Sequence, residues 1–148
     1  MSATPRRSEI DKRLLGTWKS DARRTFAEWV WNKGTTATKR TRVKSLFGKL
    51  EMTYTRTEVI SRLRDCQWEQ LQRYAVIGAD NESVAIVTFG KLKIRDRKRY
   101  DPLNLAILEE TFSPDQRIEH IHFGEGCYWV PIGNGKNREF FRRIKKGQ

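Results

Sequence analysis

The chain has 148 residues, 37% of them hydrophobic and 11% aromatic, which is enough apolar content for one domain with a full core and too much for a disordered chain. Thirty Lys and Arg against eighteen Asp and Glu give a formal charge of +12, a balance that suits phosphates or anionic ligands as well as a merely solvated basic surface. Two cysteines, Cys66 and Cys127, are too few for a disulfide framework and lack metal-type spacing, and no stretch is apolar enough to cross a bilayer as a helix.

Residues 1–9 read as a polar, disordered lead-in without the apolar region of a secretory signal, so the expected setting is cytoplasmic, with both thiols reduced. A single domain is expected over 10–148. Leu14-Leu15-Gly16-Thr17-Trp18 opens it, with strand one at Thr17–Ser20. Ser20 or Asp21 can cap a short helix within Ala22–Trp31, where Phe26, Trp29 and Val30 share a helical face. That helix either lies across a barrel mouth or packs on the outside. Residues 32–44 are polar and basic, a loop whose second half can run into the next strand.

From Ser45 the period becomes two. Leu46, Gly48, Leu50, Met52 and Tyr54 fall on one face of a strand, and Gly48 suggests a bulge. Further strands are expected at Glu58–Leu63, Trp68–Ile77, Ser83–Phe89, Leu103–Phe112, Arg117–Phe123, Cys127–Ile132 and Asn137–Lys145. Gly78–Glu82, Ser113–Gln116, Gly124–Gly126 and Gly133–Gly135 supply the turns. Eight or nine strands with hairpin-length links and one short N-terminal helix describe an all-β, antiparallel up-and-down barrel.

Gly16-Thr17-Trp18 in strand one, a helix soon after and a meander of strands resemble the lipocalin-like, or calycin, barrels of the intracellular type. The resemblance implies that Trp18 plugs one end of the barrel beneath an arginine of the last strand, where Arg142 and Arg143 both qualify. It also implies binding of a small apolar or amphipathic ligand, with no cofactor.

Three groups of residues are candidates for function. Met52, Tyr54, Trp68, Tyr74, Tyr128 and Trp129 lie in strands and can line a ligand pocket, together with His120 and His122, or simply fill the core; Tyr128 and Trp129 are adjacent, so only one can face inward. His120 and His122 share a face, and folding the Ser113–Gln116 turn brings Glu109 opposite His120, a set able to hold a metal or perform acid–base chemistry. A slip of one residue exchanges Glu109 for Glu110, and the bland alternative is a polar strand face. Lys91, Lys93, Arg95, Arg97 and Arg99 align along one extended face; with Lys39–Lys44 and Arg142–Lys146 they can bind nucleic acid or another polyanion, or form a solvated face. No phosphate loop, nucleophile elbow or RNA-binding signature is present. The resemblance thus implies binding of a small ligand inside the barrel rather than catalysis, with the polyanion and histidine readings as alternatives.

Overall fold

Alternating apolar and polar residues between short turns produce strands that pair with their neighbours in order. The computed structural model describes residues 10–63, 68–95, 117–132 and 135–144, with the backbone alone for Trp68 and residues 90–95. The elements are β1 (Gly16–Ser20), α1 (Ala22–Ala27), α2 (Ala37–Ser45), β2 (Leu50–Tyr54), β3 (Glu58–Leu63), β4 (Trp68–Ala79), β5 (Ser83–Arg95), β6 (Arg117–Gly124), β7 (Cys127–Ile132) and β8 (Asn137–Ile144). Every pairing is antiparallel and sequential, and β8 returns to β1, with Thr17 opposite Ile144 and Ser20 opposite Phe141. The result is a closed up-and-down barrel of eight strands among the described residues.

Trp18 closes one end. It is 3% exposed, its indole Nε1 donates to the Leu14 carbonyl at 2.9 Å, and its ring meets Tyr128 edge-on at 4.8 Å. Arg143, not Arg142, covers it: the guanidinium carbon lies 4.2 Å from the indole centroid. The same guanidinium donates to the carbonyls of Leu15 (2.7 Å) and Arg13 (2.8 Å), so it fixes the N-terminal turn as well as the ring. Register decides between the two arginines. Arg143 pairs with Trp18 and shares its face, whereas Arg142 pairs with Lys19 on the other. Gly16 permits this approach, since it has φ +121° and a Cβ there would lie 2.8 Å from Arg143 Nη1. Arg13 pairs with Asp11 at 2.6 Å and reaches the carbonyls of Asn81 and Ser83, pinning the turn to the β4–β5 hairpin.

Two expectations for the first half of the chain need correction. Residues 37–45 are neither loop nor strand but α2, capped by the Thr36 hydroxyl, which accepts from Lys39 N at 3.2 Å. The following strand starts at Leu50, and Leu46 and Gly48 lie outside it. The Thr36 cap marks the start of the helix, and no apolar periodicity announces it. α1 takes the outside alternative. It docks on β8, where Asp21 N donates to the Phe140 carbonyl (2.8 Å) and Thr25 Oγ1 accepts from Phe140 N (3.0 Å). The Leu103–Phe112 strand and the Ser113–Gln116 turn lie outside the described residues.

Candidate functional site

The barrel interior is divided. Next to the Trp18 end it is apolar and filled: Leu14, Tyr54, Val84, Ile86, Ile121, Tyr128 and Phe141 form one continuous cluster with Trp18. Towards the opposite end the inward positions become polar. Ser61 on β3, Gln70 and Gln72 on β4, Thr88 on β5, and Arg117 and Glu119 on β6 line a cavity floored by Met52 and Val59. Space for the centre of a water-sized sphere in this cavity amounts to about 20 Å³, room for a water or a few atoms of a head group.

Strand geometry places the central donor. The β4–β5 ladder runs from Ala79 opposite Val84 to Arg73 opposite Phe89 with one register shift between Val76 and Gly78, then shifts again before resuming at Leu71 opposite Lys93. The extra residues of this shift are on β5, and Gln72 keeps the parity of its buried neighbours Gln70 and Tyr74, which turns all three inward. Gln72 is 7% exposed, and its amide nitrogen has no hydrogen-bond partner among the described residues. A buried amide group without a partner is costly, typically by ~1–3 kcal/mol, unless a water or ligand satisfies it.

Glu119 faces the same space. Burial raises its carboxyl above the ordinary carboxylate range, and the Arg117 guanidinium, 3.9 Å away, opposes the shift only in part. Burial also raises the Tyr54 and Tyr128 phenols, and the Glu119 charge adds to both shifts. The Glu119 carboxyl, two glutamine amides, the Arg117 guanidinium and the Ser61 hydroxyl make a polar wall above an apolar floor. The amide, hydroxyl and guanidinium donors of this wall suit a molecule presenting hydrogen-bond acceptors to the polar side and carbon to Met52 and Val59.

The residues singled out in the sequence divide between inside and outside. Met52 lines the cavity. Tyr54, Tyr74 and Tyr128 are buried beneath it; the Tyr54 ring meets Tyr74 at 5.6 Å and Tyr128 at 6.3 Å, and the Tyr74 hydroxyl donates to the Thr55 carbonyl. Burial pushes the Tyr74 phenol up to about 12. β4 begins at Trp68, whose side chain lies outside the described residues.

Trp129, His120 and His122 are on the outer surface, and this corrects the expectation that the histidines belong with an interior site. Glu119, Ile121 and Phe123 take the inward positions of β6, so the residues between them face out. His122 stacks flat on Trp129, with centroids 3.9 Å apart and planes 8° apart, and the Arg138 guanidinium lies 4.1 Å from the same indole. Burial lowers the His122 pKa, and the charges of His120 and Arg138 lower it further. Along its β5 edge β6 places Ala85 opposite His120, the position the turn reading gave to a glutamate. Glu109 and Glu110 lie outside the described residues. Among the described residues no group of three His, Cys, Asp or Glu could hold a metal ion.

Sequence reasoning missed Ser61, Gln70, Gln72, Thr88, Arg117 and Glu119, because polar residues alternating on a strand read as a solvent face. The one signal was that both faces of β4 carry polar residues, so one polar set had to point inward. Of the basic strand, Lys91–Arg95 belong to β5, while Arg97 and Arg99 lie outside the described residues. Cys127 is a buried free thiol. No helix among the described residues is long and apolar enough to cross a membrane.

Comparison with known proteins adds no relative: no family model, no curated protein and no solved structure matches the chain.

Proposed function

We propose that this protein is a lipocalin-like barrel that binds a small amphipathic molecule, holding an acceptor-bearing head group against Gln72 and Glu119 and its apolar part against Met52 and Val59. The observation that carries this reading is the buried Gln72 amide nitrogen, which lines a polar cavity and has no partner among the described residues. The Arg143-covered Trp18 supports the family resemblance, because it assigns that end to closure and leaves the other for entry. A cavity of water size requires that side chains at the mouth, such as Arg117, move aside as the molecule enters.

The test is a thermal-shift and native mass-spectrometry screen of small carboxylic acids, amides and ketones with apolar tails, run on the wild type and Gln72→Leu. Binding by the wild type with at least tenfold weaker binding by the folded variant is expected. A wild type that binds none of them, or a variant that binds equally well, overturns the reading.

A further inference from the structure

The α1–α2 side of the barrel carries a feature that ligand binding inside the barrel does not use. Between Ala22 and Leu50 there are eight Lys and Arg and a single acidic residue, Glu28. α2 holds Lys39, Arg40, Arg42 and Lys44, and none of its nine residues is buried. Among the described residues these four side chains form no ion pair.

Such a helix has little reason to be stable alone. Helices shorter than about twelve residues are marginal in water, and most helices in proteins are held by burying one face. α2 buries none and is polar all round. Lys39 and Arg40 also stand in its first turn, at the positive end of the helix dipole, with no acidic residue there to offset them. A partner bringing negative charge would supply what the fold does not.

Next to this helix lies an aromatic cluster. Phe26 stacks on Trp31 at 5.9 Å and meets Phe47 edge-on at 5.3 Å, and Trp29 joins both Phe47 (5.3 Å) and Trp31 (5.8 Å). Trp29 and Trp31 are only half-buried, and the Arg40 guanidinium lies 5.3 Å from the Trp31 centroid. Leu46 and Val30, about half exposed, flank the cluster.

From this placement we infer that the α2 surface, with Trp29 and Trp31 beside it, is a docking site for single-stranded nucleic acid. Phosphates meet the four cations of α2, and bases stack on the half-exposed indoles and the Arg40 plane. Stacking on indoles needs no sequence preference, so the binding is sequence-tolerant. A lipid surface shares the negative charge, but α2 has no apolar stripe to enter a bilayer. A duplex hides its base faces and leaves the indoles without a role.

The experiment is fluorescence anisotropy with a labelled dT20 strand on the full chain, from 25 to 200 mM salt. Four phosphate contacts on a single strand predict a log–log slope of about −3, an affinity loss of about 50-fold between 50 and 200 mM. The combined variant Lys39→Gln, Arg40→Gln, Arg42→Gln and Lys44→Gln removes no buried side chain, so its melting temperature should stay near wild type. It should bind at least tenfold more weakly at 50 mM and lose most of the slope. Trp31→Leu should weaken binding several-fold while leaving the slope unchanged. Absence of wild-type binding at 25 mM, or a four-site variant that keeps the slope, overturns the proposal. So does binding to vesicles of phosphatidylcholine and phosphatidylserine, dependent on the same four residues, in place of binding to dT20.

Discussion

Trp18→Ala tests the closure of the barrel most directly. The substitution removes an indole that is 3% exposed and packed against Tyr128 and beneath Arg143. Deleting a buried Trp side chain costs about 3–5 kcal/mol through lost transfer energy and the cavity left behind. The Leu14 carbonyl, which accepts from Nε1, loses its donor in a buried position and adds about 1 kcal/mol. The sum is about 4–6 kcal/mol, a large share of the roughly 5–15 kcal/mol that holds a typical domain together. At about 2–4 °C per kcal/mol for a domain near this size, the melting temperature should fall by roughly 8–24 °C. Urea unfolding followed by far-UV circular dichroism measures the loss of free energy, and a thermal melt measures the shift in temperature. Trp18→Phe, which keeps the edge contact but not the Nε1 donor, should fall between the two. If Trp18→Ala costs less than about 2 kcal/mol, or keeps wild-type stability and loses only ligand binding, the residue is not the plug described.

Three further outcomes follow from the same geometry. Burial pushes the Glu139 carboxyl up to about 7 from an ordinary 4.5, against the opposing hydrogen bond from Ser20 Oγ at 2.7 Å. Between those values the folded state holds more protons than the unfolded one, so stability should decline by about 3 kcal/mol as pH rises from 4.5 through 7. Glu139→Gln should remove most of that decline in urea titrations, and equal slopes for the two proteins would count against it. Gly16→Ala forces a Cβ into a positive-φ position 2.8 Å from Arg143 Nη1 and should cost about 1–3 kcal/mol by thermal melting; an unchanged melt would mean that Arg143 is not held there. His122, stacked on Trp129, should titrate below 6.5 by NMR, and Trp129→Ala, which frees its ring from that contact, should raise the value. A His122 pKa at or above 6.5 in the wild type contradicts this environment.

Most of the strand boundaries were legible because period-two alternation and turn residues act locally. β3 at Glu58–Leu63 and β7 at Cys127–Ile132 agree with the sequence reading. Which face turns inward is not a local property. Tyr128 and Trp129 are both aromatic, so residue type does not choose between them; parity pairs residues, but only closure of the barrel sets the sign. The same limit hid the site. Gln70 and Gln72 alternate with Glu69 and Arg73, and nothing within β4 says which pair meets solvent. α2 escaped notice for a different reason: its sequence, Ala37 to Ser45, has no apolar stripe, so the periodicity that identifies helices had nothing to report.

The pairing of β1 with β8 has a consequence for how the molecule comes to exist. Arg143 and Leu15 hydrogen bond across 128 positions of the chain, and no strand other than β8 occupies that edge of β1. During synthesis the first strand emerges early, yet its outer edge stays unpaired until the last eight-residue strand leaves the ribosome. A sheet of β1 to β7 without β8 would have two bare edges, one on β1 and one on β7, and such edges invite pairing between chains. Contacts this distant in sequence also slow the final step of folding. Loss of β8 from the C-terminus would thus do more than shorten the protein: it would hold every copy at the stage where β1 and β7 can recruit a neighbour.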